Sequence, residues 1–188
     1  MHALVGFLPW IAFWVVGSGE SFELGAVVGL VASLLVSLPE IVHRRLKILD
    51  GGTLIFFVVI AVMGITADNA WFERFANPLA NGALAVITLV SILVGKPFTL
   101  QYARESVPEQ YWNAPTFVRA NYVITWAWFA AFVVETISTL AVVLWPVNRI
   151  VFRWVIPYGA LVLAAAYTRW VQQHAHHPAV GVAPAAND

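Results

Sequence analysis

The sequence predicts an all-α membrane protein, a bundle of about six transmembrane helices with both ends on the cytoplasmic side. Of its 188 residues, 61% are hydrophobic and 11% are charged, whereas soluble domains have about half apolar and a quarter charged residues. Several apolar runs approach the roughly 20 residues that cross a bilayer. Helices are the expected conformation because an open sheet leaves backbone polar groups unpaired in lipid.

The predicted spans are separated by residues that end or begin helices. Residues 17–19, Gly-Ser-Gly, end the first span, and Ser21 is the expected cap of the second. Glu23 lies in the first turn of the second span, where the helix dipole favours an anion. A turn at 50–52, Asp-Gly-Gly, precedes the third span. The six spans are approximately 3–18, 22–42, 51–67, 79–95, 120–145 and 150–170.

Prolines and glycines mark the boundaries of the last three spans. Asn77 and Pro78 fit the N-cap and first position of the fourth helix, and residues 95–97, Gly-Lys-Pro, end it. Pro146 closes the fifth helix. Pro157 lies inside the sixth and predicts a kink there.

The positions of the basic residues predict the orientation. Lys and Arg are enriched on the cytoplasmic side of membrane proteins. With both ends inside, seven of the ten lie in cytoplasmic segments: Arg44, Arg45, Lys47, Lys96, Arg104, Arg119 and Arg169. Arg74, Arg149 and Arg153 remain outside. Residues 1–172 form one transmembrane domain in this interpretation, and residues 173–188 form a flexible cytoplasmic tail.

Composition and motifs exclude several classes of function. Ten basic residues balance ten acidic ones, so no nucleic-acid partner is expected. With no cysteine, disulfides and Cys-ligated metals are excluded. No catalytic motif or cofactor signature occurs, so neither enzymatic activity nor a cofactor is predicted. His174, His176 and His177 lack a carboxylate or cysteine partner, so no metal site is predicted from them.

Glu135 is the most informative single residue because it lies well inside the fifth span. A charge at mid-bilayer costs on the order of 3 kcal/mol, and such residues usually face a bundle interior or a cavity. One interpretation is structural: Glu135 pairs with Arg153, or is protonated and bonded to a neighbouring helix. Glu23 is a further possible partner. The other interpretation is a role in binding a proton, ion or substrate.

The loop at 96–119 carries the densest group of specific-looking residues. One interpretation is a platform that binds lipid head groups or a partner, and the other is an interfacial hairpin that anchors the loop. Ser106 and Glu109 fit a capping box for a short helix. The candidate binding residues are Lys96, Phe98, Tyr102, Arg104, Tyr111, Trp112 and Arg119.

Small residues in the second span predict a close helix contact. Gly25, Gly29 and Ser33 recur every four residues, a spacing that lets another helix approach. The contact is formed either within the bundle or with a second copy, so a homo-oligomer is one expectation. Near the end of this span, Glu40 is a candidate partner for Arg44 and Arg45.

The order of features resembles the intracellular septation protein A family, small inner-membrane proteins of bacteria, or a sister family with the same fold. The resemblance covers residues 7–145 and implies a multi-pass protein of the bacterial inner membrane. It also implies a role in envelope integrity or cell division, through contact with other membrane proteins. The segments that carry it are Phe7-Leu8-Pro9, Phe13-Trp14-Val15-Val16, Arg44-Arg45-Leu46-Lys47, Gly64-Ile65-Thr66, Asp68-Asn69, Trp71-Phe72, Gly95-Lys96-Pro97-Phe98, Tyr111-Trp112, Asn121 and Trp126-Ala127-Trp128-Phe129-Ala130-Ala131-Phe132.

Two functions therefore follow from the sequence. The first is a non-enzymatic envelope or septation protein that binds lipid head groups or membrane-protein partners through the 96–119 loop. The second is a small transporter or channel that uses Glu135 as a protonatable site.

Overall fold

The computed structural model describes residues 5–17, 22–66 and 69–175, and every regular element in those ranges is a helix. Two of the helices, α5 and a 3₁₀ turn, are short. A π turn at Val151–Val155 leads directly into the last helix. In chain order the elements are α1 (Leu8–Gly17), α2 (Phe22–Val42), α3 (Ile48–Thr66), α4 (Asn69–Leu93), α5 (Phe98–Arg104), the 3₁₀ turn (Glu109–Tyr111), α6 (Pro115–Leu144), the π turn and α7 (Ile156–Ala175).

Four segments are long and apolar enough to cross a membrane: Phe22–Val42, Trp71–Leu93, Pro115–Leu144 and Val151–His174. The apolar helices Leu8–Gly17 and Ile48–Met63 are shorter. Large aliphatic side chains on the outer faces stay exposed, such as Leu35 at 71% and Leu163 at 71%. An apolar surface of this kind is compatible with a multi-pass membrane protein, because lipid leaves no reason to bury it.

The predicted start of the fourth span is wrong. Helix α4 begins at Asn69, and Pro78 lies inside it rather than at its first position. An interior proline removes one backbone hydrogen bond. The turns before Pro78 persist because Phe72 is buried and stacks on Phe22, with ring centroids 5.7 Å apart.

Helices α1, α2 and α3 form one tightly packed half of the bundle. The Trp10 indole is fully buried and donates a hydrogen bond to Thr53 Oγ1 at 3.0 Å. A Cβ on Gly25 would lie 2.9 Å from Gly17 Cα, and one on Gly29 would lie 2.6 Å from a ring carbon of Phe57. The small-residue face of α2 therefore packs within the bundle. The expected cap Ser21 lies outside the described residues.

Helix α6 joins the other half of the bundle, packing extensively on α4 and α7. Trp128 Nε1 donates to Thr168 Oγ1 at 3.1 Å, and Ser138 Oγ donates to the Phe152 carbonyl at 2.6 Å. A π turn at Val151–Val155 precedes Pro157, which is the second residue of α7 and the position where the sequence predicts a kink. Pro157 has no N–H to continue the helical ladder, which favours a change of helix type at that point.

Candidate functional site

The 96–119 loop folds back onto the bundle. Phe98 and Tyr102 are 2% and 4% exposed, so both side chains face the interior. Their side chains are therefore not on the outer surface of the loop, which is where the sequence analysis expected them. The Gln101 side chain accepts a hydrogen bond from the Ile48 N–H at 3.0 Å and donates to the Lys96 carbonyl at 2.7 Å, which ties α5 to the start of α3.

Arg104 and Trp112 contact each other and so hold the two parts of the loop together. Trp112 Nε1 donates to the carbonyls of Arg104 and Val107, at 3.0 and 2.9 Å. The Arg104 guanidinium lies over the Trp112 ring, 5.7 Å from its centroid. The expected capping box is absent here, because the 3₁₀ turn follows Pro108 and has no side-chain cap. Of the predicted binding residues, Lys96, Tyr111 and Arg119 remain exposed.

Beneath the loop lies a charge cluster that sequence reasoning missed, formed by Glu40, Lys47, Asp50, Tyr102 and Glu105. Lys47 Nζ contacts Glu105 Oε1 at 2.7 Å and Glu40 Oε1 at 2.8 Å, and lies 4.0 Å from Asp50 Oδ2. Tyr102 donates a hydrogen bond to Asp50 Oδ1 at 2.7 Å. Glu40 therefore pairs with Lys47 and not with the expected arginines.

Burial and neighbouring charges change the pKa values of Lys47 and Tyr102, the two proton donors of this cluster. Burial by itself lowers the pKa of the Lys47 ammonium, but the hydrogen bonds to Glu105 and Glu40 offset it and raise the pKa above 10.5. Burial raises the pKa of the Tyr102 phenol well above 10.0, and the neighbouring Asp50 carboxyl raises it further. Both groups keep their protons at neutral pH, so the ion pairs and hydrogen bonds of the cluster hold α2, α3 and α5 together.

The opposite end of the bundle carries a pocket of about 340 Å³ between α4, α6 and the connection to the π turn. We call it the arginine pocket because it contains Arg74, Arg149 and Arg153. Its other polar lining residues are Glu73, Asn77 and Thr139. Arg153 is thus a pocket residue. Glu23 is exposed at this same end, in the first turn of α2.

Glu135 lies one helical turn below the arginine pocket. It is 4% exposed, and its Oε2 atom accepts no hydrogen bond from any described residue. The expected ion pair with Arg153 is not formed among the described residues. Thr139, which lines the pocket, donates its hydroxyl to the Glu135 carbonyl at 2.7 Å, so the two residues are consecutive along one face of α6.

Helix α4, which packs on α6, carries buried polar residues of its own. Asn77 lines the pocket, and Asn81 lies one turn deeper, 5% exposed with an unpartnered Oδ1 atom. A Cβ on Gly82 would lie 3.6 Å from Thr136. Their chain neighbours Asn81 and Glu135 therefore lie at about the same depth in the bundle. Thr88 is fully buried and its Oγ1 atom also lacks a partner among the described residues. We call Asn81, Thr88, Glu135 and Thr139 the polar seam.

Unpartnered buried polar atoms are rare in native proteins, because each costs about 1–3 kcal/mol. Three such atoms lie in the polar seam: Asn81 Oδ1, Thr88 Oγ1 and Glu135 Oε2. In the sequence, Asn81 and Thr88 are seven residues apart in an apolar span, and this spacing puts both on one helix face. Arg74 and Arg149 looked like ordinary loop charges in the sequence.

Comparisons with protein-family models, curated proteins and solved structures gave no match to this chain. The resemblance to the septation family therefore stays a prediction.

Proposed function

We propose that this chain is a small multi-pass transporter or channel in which the polar seam carries a proton or small solute and Glu135 is its central site. The proposal includes six transmembrane helices with both ends in the cytoplasm of a bacterial inner membrane. In that orientation the arginine pocket opens outward and the charge cluster lies on the cytoplasmic side.

The single observation that carries the proposal is the buried carboxyl of Glu135, whose Oε2 atom has no protein partner in the described residues. Intramembrane carboxyls commonly line ion and proton pathways. The other residues of the polar seam lie on both sides of that carboxyl along the bundle. Thr139 connects it to the pocket, and Thr88 lies two turns deeper on α4 than Asn81.

Few other charges are close enough to take over this role. In the described helices that pack on α6, α4 has only Glu73 and Arg74 as charged residues, both near the pocket. The π turn and α7 contribute Arg153 near the pocket and Arg169 near the far end. Glu135 is therefore the one carboxyl within the buried part of the seam as described.

The test is proton flux into proteoliposomes that contain a trapped pH-sensitive dye, under an imposed pH gradient and with phosphate or succinate outside. We expect the wild-type protein to dissipate the gradient and Glu135→Gln to slow it about tenfold or more, as loss of an essential proton carrier does. Glu109→Gln, an exposed carboxyl at the other end, is the matched control and should leave flux unchanged. Equal flux from wild type and Glu135→Gln would remove Glu135 from the mechanism.

A second candidate, the envelope or septation role, is favoured by the exposed residues of the 96–119 loop. Tyr111 is 51% exposed, Lys96 is exposed before α5, and Arg119 is exposed near the start of α6. Exposed aromatic and basic residues at a membrane surface suit lipid phosphates or a protein partner. Native mass spectrometry of gently extracted protein tests it: an anionic lipid or envelope protein retained by wild type should be lost from the Lys96→Ser/Arg119→Ser variant. Equal retention would argue against this role.

A further inference from the structure

Arg74 lies far from Arg149 and Arg153 in the sequence but meets them at one place in the fold. Arg74 comes from the start of α4, whereas Arg149 and Arg153 come from the segment after α6. These are the same three basic residues that the charge count leaves on the outer side. Like charges repel one another, so three guanidinium groups at one pocket create a positive site that an anion would offset.

Local structure holds each arginine at the pocket. The Asn148 side chain accepts hydrogen bonds from the N–H groups of Ile150 and Val151, at 3.0 and 3.2 Å, which starts the helical segment there. Arg149 and Arg153 follow one turn apart on that segment. Arg74 is braced by a hydrogen bond from its Nη2 to the Val143 carbonyl at 2.8 Å.

The charges of this pocket are not balanced from within. Three guanidinium groups and a single carboxyl, that of Glu73, line the pocket, and all four residues are exposed. None of the three forms an ion pair with a described carboxylate, and Arg149 and Arg153 donate no side-chain hydrogen bond within the described ranges. Guanidinium groups bind carboxylates and phosphates through two parallel hydrogen bonds, so unused donors in a pocket suit such groups.

We propose that the arginine pocket binds an oxyanion, a phosphate or carboxylate group, through Arg149, Arg153 and Arg74. The volume of about 340 Å³ is within the range of small-molecule sites. Asn77, which also lines the pocket, offers a further amide donor. As a binding site the pocket stands by itself, whereas its role as the entrance for a transported anion rests on the proposed function.

The experiment is isothermal titration calorimetry of the full-length protein in nanodiscs of neutral lipid, with inorganic phosphate and succinate as probes. We expect saturable binding to wild type, weakened about tenfold or more in Arg149→Gln and in Arg153→Gln, because each removes a charge-assisted contact. Arg153→Lys should retain part of the affinity. Arg169→Gln removes the same charge from α7 outside the pocket and should bind as wild type does.

Other outcomes overturn the proposal or locate the anion. Equal binding by wild type, Arg149→Gln and Arg153→Gln would overturn it. If neither soluble probe binds, nanodiscs with phosphatidylglycerol provide the lipid arm: retention of that lipid with the same dependence on Arg149 and Arg153 would place the oxyanion on a head group, and its absence would complete the refutation.

The failures of this inference and of the proposed function are distinguishable. Anion binding that depends on the arginines, together with proton flux that is unchanged in Glu135→Gln, supports the anion site and refutes the transport mechanism. Flux that requires Glu135, without any oxyanion binding, keeps the transport mechanism and refutes the site.

Discussion

Replacing Lys47 by methionine tests the charge cluster. Methionine keeps the length and apolar stem of the side chain but removes the ammonium that contacts Glu40 at 2.8 Å and Glu105 at 2.7 Å. Three carboxyl groups, including that of Asp50, are then left together without a cation. We expect α5 and the end of α2 to lose their common attachment to the start of α3.

The magnitude follows from how deeply the partners are buried. Removing one partner of a fully buried ion pair costs about 3–5 kcal/mol, whereas exposed pairs contribute about 0–1 kcal/mol. The Lys47 side chain is 9% exposed, but those of Glu40 and Glu105 are 25% and 35% exposed and can turn toward water. Between these limits we expect a loss of about 2–3 kcal/mol in the free energy of unfolding.

The assay is unfolding by sodium dodecyl sulfate in mixed micelles, followed by circular dichroism. Lys96→Met is the matched control, because Lys96 is exposed, and it should change the free energy of unfolding by less than about 0.5 kcal/mol. Adding Glu105→Gln to Lys47→Met should recover part of the loss, since it removes one of the unbalanced carboxylates. A loss for Lys47→Met no larger than that of Lys96→Met would refute the structural role of the cluster.

Two more predictions concern packing and pH. Gly29→Ala places a methyl group 2.6 and 2.8 Å from two ring carbons of Phe57 and should destabilise the bundle by about 1–3 kcal/mol, whereas Gly159→Ala has nothing within 4 Å and should stabilise it slightly. Opposite signs in the same unfolding assay confirm this, and equal effects contradict it. The folded-state pKa values of Lys47 and Tyr102 lie above 10.5 and 10.0, so the stability they contribute is complete below about pH 10 and is lost as pH rises further. Unfolding measured from pH 7 to 11 should show this decline, less steeply in Tyr102→Phe. A flat profile for wild type would contradict it.

Much of the fold was predictable from the sequence because lipid imposes a simple pattern. The second predicted span, 22–42, coincides with α2, and the predicted fifth span, 120–145, overlaps α6 up to its end at Leu144. The start of α4 was not predictable in this way, since Pro78 is a reasonable first residue of a helix. The contact of Phe72 with Phe22, which is distant in sequence, attaches the turns before Pro78 to the bundle.

Only part of the candidate site was predictable from the sequence. Glu135 was recognisable, because a carboxyl in an apolar span is conspicuous by itself. The charge cluster was not, because Lys47 and Glu40 next to a span have the composition of ordinary topology charges. Phe98 and Tyr102 had the spacing of a surface face, but a sequence does not tell which side of a short helix meets the bundle.

Cysteine labelling tests most directly the central claim, that the polar seam is reached by water from the arginine pocket. The chain has no cysteine, so single substitutions can be read without background. Thr139 is 7% exposed and lines the pocket, whereas Ile137, two residues earlier on α6, is 63% exposed on the apolar surface. We predict that a charged, membrane-impermeant thiol reagent applied from the pocket side of proteoliposomes modifies Thr139→Cys and leaves Ile137→Cys unmodified. Modification of Ile137→Cys with Thr139→Cys protected would contradict the claim.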